Sequence, residues 1–242
     1  MFSIIIPAYN EEKYISGCLN SILNLKTGQK YEIVVVNNAS TDKTVEVVRK
    51  ILPEAKIINE PKKGLTIAYN RGARETKGNI LVFVDADMIL PQDHLEKISK
   101  EFKKDPQLVA LSGPYVYKDG GIICRLLIGF VSLFLVMPAE FIFNRFLNLG
   151  ACIASGNSAV KKEAFETVGG FNENIFYGLE ADFAKRIRRV GKVRFKYFFS
   201  SESSTRRFKK EGLMKILYRY AFNIIWLYFF KKTLTKNYID IR

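Results

Sequence analysis

Cysteine and histidine are scarce in this sequence, and their scarcity excludes several kinds of site. The 242 residues contain three cysteines and one histidine. The cysteines are widely spaced and form no Cys-x-x-Cys pair, so we expect reduced thiols and no zinc site. With His94 as the single histidine, which we expect to be structural, and no Gly-x-Ser-x-Gly motif, a Ser-His-Asp hydrolase is excluded.

Two glycine-rich phosphate-binding motifs are also missing. No Gly-x-Gly-x-x-Gly follows an apolar run and no Gly-x-x-x-x-Gly-Lys occurs, so neither a dinucleotide cofactor nor a P-loop nucleotide is expected. No long linker rich in Gly, Ser or Pro divides the chain. We expect one domain over residues 1–210 with an apolar insertion at 122–149, followed by a C-terminal amphipathic helix over 211–242.

Short apolar runs alternate with segments in which apolar residues recur at helical spacing. This alternation indicates the α/β class, with a Rossmann-like, mostly parallel central sheet flanked by helices. Ser40 or Thr41 is placed to cap the second helix. The predicted strands are Phe2–Ile6, Ile33–Val36, Lys56–Ile58 and Ile80–Val84, and the predicted helices are Glu11–Leu23, Val45–Leu52, Thr66–Thr76 and Leu95–Phe102.

Polar residues follow three of these strands at the point where each strand ends. The uninterrupted apolar run Ile80–Val84, which is typical of a strand buried on both faces, is followed by Asp85 and Asp87. The loops 7–10 and 37–40 should reach the same edge, where open α/β sheets bind their ligands. Two carboxylates two positions apart can share a divalent cation with a phosphate, although such acids also occur in loops where they face water.

Positive charge is concentrated in the second half of the chain. Residues 1–120 hold 17 Lys and Arg against 15 Asp and Glu, whereas residues 121–242 hold 21 against 9. Thirteen of the basic residues lie between Lys185 and Arg219. Basic surfaces favour anionic lipid headgroups, and no recognised nucleic-acid motif accompanies the charge. We therefore expect an anionic membrane surface as a partner and no nucleic acid, with a solvated helix face as the alternative.

Two apolar segments strengthen the membrane hypothesis. Leu126–Ala139 is uncharged over 14 residues, fewer than the about 20 that a spanning helix needs, so a core helix, an interfacial pair and a re-entrant hairpin all stay open. Leu213–Phe230 has late aromatics and ends at Lys231-Lys232, as an interfacial helix does, although a last helix packed on the domain fits too. Because Met1–Pro7 is already a strand, we expect no signal peptide and a peripheral or monotopic protein on the cytoplasmic face of the membrane.

Four segments, in the same order along the chain, resemble the family 2 glycosyltransferases, which have the GT-A fold. The likeness covers roughly the first 210 residues. It implies an inverting transfer of a sugar from a nucleotide-diphospho-sugar donor, assisted by Mg²⁺ or Mn²⁺. The four segments are Ser3–Asn24, Val34–Thr44, Gly78–Pro91 and Ala154–Gly191.

The resemblance assigns residues at the ends of the first and fourth strands to the donor and the metal. It implies that Tyr9 lies against the base, with Pro7 and Glu11 close by. It implies that Asp85 approaches the ribose or sugar and contributes to the metal site, and that Asp87 binds the metal that bridges the diphosphate.

Further donor contacts follow from the same resemblance. Asn38 stands where the family often has a base-binding Asp, so the identity of the base stays open. Tyr69 replaces the family's usual Arg, and Arg71 is the candidate to replace it as a phosphate contact. Independently of the resemblance, Arg206 and Arg207 in the basic cluster are candidates to hold the donor diphosphate instead of lipid headgroups, because paired guanidiniums match phosphate oxygens. The residues implied to line the sugar pocket are Ser155, Gly156 and Asn157.

The candidate catalytic base lies at the start of a helix. Aligning this stretch on Arg186 and Gly191 places Glu180 where the family has its catalytic Asp, with Leu179 in place of the preceding Glu; Asp182 is the second candidate. A hydroxyl acceptor needs a carboxylate to take its proton, whereas an ionised phosphate does not. Acids in this position also stabilise the first turn of a helix.

The sequence therefore predicts a membrane-associated glycosyltransferase whose acceptor is a polyprenyl phosphate or a lipid-linked glycan. The Gln-x-x-Arg-Trp motif of the family's processive synthases is absent, which favours a single addition. A soluble or protein acceptor is one alternative. A degenerate protein that only binds a nucleotide-sugar or a lipid is another, suggested by Asn37, Asn38 and Leu179, but the presence of both Asp85 and Asp87 argues against it.

Overall fold

The computed structural model describes most of the predicted domain. The described residues are 1–117, 153–175 and 178–212, with single positions at 119, 121, 215, 216, 218 and 222. The predicted insertion at 122–149 and most of the predicted C-terminal helix at 211–242 lie outside them, so this division of the chain stays a prediction. Within the part of the chain that is described, no helix is both long and apolar enough to cross a membrane.

Strands and helices alternate as the sequence predicts, and the four predicted strands and four predicted helices are all present. The first part of the chain forms β1 (Phe2–Ala8), α1 (Ile15–Leu23), β2 (Tyr31–Asn37), α2 (Thr44–Ile51), β3 (Lys56–Asn59), α3 (Leu65–Arg74), β4 (Ile80–Val84), α4 (His94–Lys104) and β5 (Leu108–Ser112). The second part forms β6 (Tyr115–Tyr117), β7 (Asn157–Lys161), α5 (Lys162–Thr167), α6 (Leu179–Ile187), β8 (Lys192–Phe195), β9 (Ser201–Ser203) and α7 (Arg206–Glu211).

Among the described residues, seven strands form one sheet in the order β3-β2-β1-β4-β7-β5-β8. Every neighbouring pair is parallel except the two pairs made by β7, which runs antiparallel between β4 and β5. The strands β6 and β9 form a separate parallel pair. The predicted α/β class with a mostly parallel central sheet is therefore confirmed, and the carboxyl ends of β1, β2, β4, β5 and β8 lie at one edge.

Helices cover both faces of the sheet, and their packing fixes the position of the end of β4. Val82 and Val84 pack in one apolar cluster with side chains of α1, α2 and α4. Leu81 and Phe83 pack in the other with side chains of α3, α5 and α6. All four are fully buried, as the uninterrupted apolar run predicts. The chain leaves this rigid strand directly at Asp85.

Candidate active site at the carboxyl edge of the sheet

The loops that follow β1 and β2 are joined to each other beside the loop that follows β4. The backbone N–H of Asn10 donates to Ser40 Oγ at 3.1 Å, and that of Thr41 donates to Asn10 Oδ1 at 2.8 Å. Asn10 and Ala39 have positive φ angles of 51° and 61°, a conformation that non-glycine residues adopt mainly in tight turns. Because β4 lies parallel beside β1, the third loop, which carries the aspartates at 85–87, ends at the same edge as these two loops, as predicted.

Asp85 is held in place from two sides. The Tyr69 hydroxyl donates to Asp85 Oδ1 at 2.6 Å. On the other side, a Cβ atom added to Gly156 would come within 2.1 Å of Asp85 Oδ2, so only glycine lets the carboxylate lie there. Burial and the charge of Asp85 raise the pKa of Tyr69 well above its ordinary value. The hydroxyl therefore stays protonated and remains a donor to Asp85.

Asp87 shares an arginine with a second carboxylate. Arg206 donates from Nη1 and Nη2 to the two oxygens of Glu11, each at 2.6 Å, and its Nη2 also lies 3.2 Å from Asp87 Oδ2. The Glu11 side chain is only 1% exposed, against 15% for Arg206 and 13% for Asp87. The guanidinium also lies over the Tyr14 ring at 4.4 Å. The first residue of α7 is thus tied to the ends of β1 and β4.

Glu180 is a partly buried carboxylate beside Asp85. It lies in the first turn of α6, which begins after Gly178 in the left-handed conformation (φ 78°). Ser155 Oγ donates to Glu180 Oε1 at 3.1 Å. Burial, together with the nearby charge of Asp85, raises the pKa of Glu180 above its usual range. A raised pKa brings a carboxylate towards the range in which a general base works best near neutral pH.

The second candidate base, Asp182, has a different set of partners. Its Oδ2 accepts hydrogen bonds from Nε and Nη2 of Arg186 at 2.9 and 2.7 Å. Arg186 Nη1 in turn donates to the carbonyl oxygens of Val168 and Gly170 at 2.8 and 2.7 Å. Asp182 therefore orients the arginine that joins α6 to the loop after α5, which leaves Glu180 as the better placed of the two candidates.

Two tyrosines that the sequence did not assign to the site lie beside these acids. Tyr69 binds Asp85, and the Tyr115 hydroxyl accepts the backbone N–H of Gly156 at 2.9 Å. Burial and the charges of Asp85 and Glu180 raise the pKa of Tyr115 well above its ordinary value. Tyr69 could have been suspected, because it stands where the family has a functional Arg, whereas β6 gives no sequence signal for Tyr115.

Asn38 shapes the loop that faces Tyr9. Its Nδ2 donates to two carbonyl oxygens of the loop 60–64 at 3.1 and 2.8 Å, and its Oδ1 accepts a backbone N–H of the same loop at 2.8 Å. In that loop, Lys63 Nζ lies 4.2 Å from the centre of the Tyr9 ring. Tyr9 and Asn38 are therefore close to the same loop, while the Asn38 amide is engaged by backbone groups.

The predicted sugar-pocket residues divide into two kinds. Ser155 and Gly156 lie against Glu180 and Asp85. Asn157 instead donates to carbonyl oxygens of residues 113, 114 and 199 at 3.1, 3.2 and 2.9 Å, and is 1% exposed. It joins β7 to the segments that precede β6 and β9. Asn157 therefore fixes the backbone next to Ser155 and Gly156 and is itself buried away from the pocket.

The remaining predicted donor residues are spread more widely. Pro7 is buried within β1. Arg207 Nε donates to Glu211 at 3.0 Å, and its charge is close enough to Glu180 to oppose part of the rise in the pKa of Glu180. Arg71 does not join the acids, because its Nη2 pairs with Glu75 at 3.2 Å, one helical turn further towards the opposite edge of the sheet.

Asp85 and Asp87 fit a cation that also binds a ligand. Mg²⁺ is commonly held by one or two carboxylates together with substrate phosphates. Mg²⁺ and Mn²⁺ both prefer oxygen ligands of this kind. Within the described ranges, no group of three His, Cys, Asp or Glu side chains is arranged to hold a metal ion. The two aspartates are therefore suited to a cation whose coordination is completed by phosphate and water oxygens.

Comparisons with known proteins agree with this arrangement. The sequence model described as Glycosyl transferase family 2 matches residues 3–169. A chondroitin synthase of Pasteurella multocida is 32% identical over 199 residues, which is 80% of this chain and 19% of the synthase. A dolichol-phosphate mannosyltransferase of Pyrococcus furiosus is 35% identical over 117 residues, which is 47% of this chain and 33% of that enzyme. The chain thus spans a fifth to a third of the length of these relatives.

Solved structures share the fold. TarS of S. aureus (residues 1–349) superposes with a TM-score of 0.65 at 19% identity, over 84% of this chain and 60% of that one. A mannosyltransferase of Pyrobaculum calidifontis, solved with GDP-Man and Mn²⁺, superposes with a TM-score of 0.64 at 24% identity, over 84% of this chain and 56% of that one. These likenesses confirm the predicted GT-A fold, and the family match covers most of the chain. The chain belongs to glycosyl transferase family 2.

Proposed function

We propose that this chain is an inverting, metal-dependent glycosyltransferase that moves a sugar from a nucleotide-diphospho-sugar to a lipid-linked acceptor. The observation that carries the proposal is that Glu180, from a distant part of the chain, lies with the neighbouring Asp85 and Asp87 at the carboxyl edge of one sheet. The nucleotide-sugars bound by solved relatives, GDP-Man with Mn²⁺ in one and UDP-GlcNAc in another, support a donor of this class.

The donor end of the reaction is assigned to the two aspartates and the arginines of α7. Asp87, with Asp85, would hold Mg²⁺ or Mn²⁺, which when bound neutralises the negative charge that develops on the departing diphosphate. Tyr69 keeps Asp85 in its orientation. Arg206 and Arg207 approach the same charge from α7 as donors to the diphosphate oxygens.

The acceptor end of the reaction is assigned to Glu180. An acceptor hydroxyl attacks the anomeric carbon from the face opposite the diphosphate, the bond to the diphosphate breaks, and Glu180 takes the hydroxyl proton. Attack from the opposite face inverts the anomeric configuration. If the acceptor is a phosphate, its oxygen is already ionised and Glu180 has no proton to take.

We further propose that the protein rests on the cytoplasmic face of a membrane as a peripheral or monotopic protein. Two described aromatics of the C-terminal segment, Tyr218 and Phe222, stack one helical turn apart at 5.8 Å and are 70% and 40% exposed. Exposed aromatics next to basic residues suit the headgroup layer. The names of the dolichol-phosphate and dolichyl-linked relatives support a lipid acceptor.

The test of the proposal is donor hydrolysis by the full chain. UDP-, GDP- and dTDP-sugars are incubated with and without Mn²⁺, and the released nucleoside diphosphate is measured. The proposal expects release from at least one donor, only in the presence of the divalent cation. Binding of a donor without any release, in hydrolysis or with polyprenyl phosphate added, would favour the degenerate binding protein instead.

The membrane part is tested separately by sedimentation with anionic vesicles. Full-length protein should sediment at low salt, and truncation after Gly212 should weaken this binding without loss of donor binding. Salt near 1 M, where the Debye length is about 3 Å, should release the remainder. If full-length protein stays in the supernatant at low salt, a soluble or protein acceptor takes the place of the lipid.

A further inference from the structure

Arg206 occupies the space beside Asp87 that a bound cation would share. We propose that its guanidinium serves as a built-in cation in the donor-free protein, so that the metal binds tightly only together with the donor diphosphate. This inference rests on the proposed function and goes beyond it, because it makes uptake of the metal conditional on uptake of the donor.

The contacts of Arg206 divide into a strong pair and a weaker one. The bond to Glu11 is bidentate, with both distances at 2.6 Å, and Glu11 is almost fully buried. The contact with Asp87 uses one nitrogen already bound to Glu11 and is longer, at 3.2 Å. Bidentate arginine–carboxylate pairs are among the strongest hydrogen-bonded pairs in proteins. Glu11 therefore anchors the guanidinium, and Asp87 is the partner that can be exchanged.

The charges at this edge explain why exchange needs the diphosphate. A divalent cation at Asp87 would lie a few Å from the guanidinium, and like charges at that separation repel strongly in a partly buried site. The oxygens of a diphosphate attract both the cation and the guanidinium. Metal and diphosphate should therefore each raise the affinity of the site for the other, by the same factor.

The backbone at Arg206 is held without the help of its side chain. Ser204 Oγ and the backbone N–H of Thr205 donate to the Asp119 carboxylate at 3.0 and 2.9 Å. Lys209 Nζ donates to the Asp119 carbonyl oxygen at 2.9 Å. The guanidinium can therefore change partners while the start of α7 stays in place.

The experiment is a titration of donor-free protein with Mn²⁺, followed by electron paramagnetic resonance of the free ion. Removal of the built-in cation in Arg206→Gln should make Mn²⁺ alone bind about tenfold tighter than in the wild type. The matched control is Arg194→Gln, which removes a guanidinium that also contacts two carboxylates, Asp105 and Glu101. The control should leave the Mn²⁺ affinity unchanged, because it removes the same charge at the opposite edge.

Arg206→Gln leaves the buried Glu11 carboxylate without its arginine, which could destabilise the fold. A second variant therefore removes both members of the pair. The double variant Glu11→Gln/Arg206→Gln removes both charges and should also bind Mn²⁺ more tightly. Addition of GDP or UDP should increase the Mn²⁺ affinity of the wild type by a larger factor than that of either variant.

The outcomes separate this inference from the proposed function. Unchanged or weaker Mn²⁺ binding in both variants, while Mn²⁺ still binds wild type with a nucleotide, overturns the inference and leaves the function standing. An equal gain in Arg194→Gln overturns it as well, because the effect would then be one of net charge. Absence of Mn²⁺ binding to the wild type with GDP and with UDP overturns both.

Discussion

The two edges of the sheet carry opposite charges in different environments. At the carboxyl edge, the acids Glu11, Asp85, Asp87 and Glu180 are partly or fully buried, and two of them, Glu11 and Asp87, pair with Arg206. At the amino edge, where Lys192 pairs with Leu108 at the start of β5, an open groove of about 1050 Å³ lies between α5, the end of α6 and β8. Six basic side chains line the groove: Lys161, Lys185, Arg188, Arg189, Lys192 and Arg194.

The ionisable side chains at the two edges differ in burial as well as in the sign of their charge. Glu180, beside Asp85, has a raised pKa, and buried acids with shifted pKa values are typical of reactive sites. The basic side chains of the groove are more exposed, with 54% of the Lys192 side chain and 33% of the Arg194 side chain accessible, and they suit contact with an anionic surface. The basic cluster between residues 185 and 219 is therefore divided between the two edges.

The largest effect is expected from Glu180→Gln, which keeps the size of the side chain and removes the proton acceptor. With a hydroxyl acceptor, turnover should fall by roughly 10²–10⁴ while donor affinity is retained; with a phosphate acceptor the loss should be far smaller. The pKa of Glu180 is raised, so Glu180 becomes protonated earlier as the pH is lowered. With a hydroxyl acceptor, wild-type turnover should therefore begin to fall, on acidification, at a higher pH than it would with an ordinary glutamate as the base.

Asp182→Asn is the control for this prediction, since Asp182 contacts Arg186 rather than the site. It should leave turnover close to that of the wild type. A severe loss in Asp182→Asn, with Glu180→Gln near normal, would show that the base had been assigned to the wrong carboxylate.

Tyr69→Phe should have the next largest effect at the carboxyl edge. It keeps the ring between Phe83 and Phe171 but removes the hydroxyl that fixes Asp85, so the Mn²⁺-dependent affinity for the donor should fall about tenfold. Isothermal titration calorimetry measures the affinity, and the melting temperature monitors the fold. An unchanged donor affinity would show that Asp85 does not need this hydrogen bond.

His94 should make stability depend on pH at the carboxyl edge. It is buried, stacks on Phe199 at 4.3 Å, and its ring nitrogens have no hydrogen-bond partner among the described residues. Burial lowers its pKa from 6.5 to about 3. Below pH 6.5 the unfolded chain therefore binds a proton that the folded protein does not, so stability falls with falling pH, by up to about 1.4 kcal/mol per pH unit down to about pH 3.

Urea unfolding at pH 7 and pH 5.5 checks this contribution against His94→Phe, which keeps the stacked ring. The substitution should reduce the loss of stability between the two pH values by roughly 1 kcal/mol. The same loss in both proteins would assign the pH dependence to other groups.

The smallest effect is expected at the amino edge. Arg189→Gln or Lys185→Gln should lower the affinity for anionic vesicles by about fivefold each, which corresponds to about 1 kcal/mol per basic residue, and should leave donor binding unchanged. Vesicle sedimentation and calorimetry measure the two affinities. A loss of donor binding with unchanged vesicle binding would remove the functional distinction between the edges.

The fold could be predicted from the sequence because its signals are local. A strand covered on both faces, such as Ile80–Val84, leaves a continuous apolar run, and the chain must then place Asp85 at the edge. The predicted cap of α2 at Ser40 or Thr41 was wrong: Lys43 is its N-cap residue, while Ser40 Oγ accepts the N–H of Asn10. A contact with another loop competes here with the local capping preference.

The contacts within the site could not be predicted in the same way. Glu11 and Arg206 are 195 positions apart, and a pairing over such a distance leaves no periodic pattern in the sequence. Tyr69 meets Asp85 only because α3 packs on β1 and β2, which brings the Tyr69 ring against Phe83 of β4. The sequence therefore indicated which residue types lie at the edge, while the partner of each depends on tertiary packing.

The central claim is that the acidic edge binds a nucleotide-sugar through a cation held by Asp87. The most direct measurement is the calorimetric affinity of wild type and Asp87→Asn for UDP-, GDP- and dTDP-sugars, with and without Mn²⁺. We expect the wild type to bind at least one donor about tenfold or more tightly with Mn²⁺, and Asp87→Asn to lose this dependence while keeping its melting temperature. Equal Mn²⁺-dependent binding by the two proteins, or no effect of Mn²⁺ on any donor, would contradict the claim.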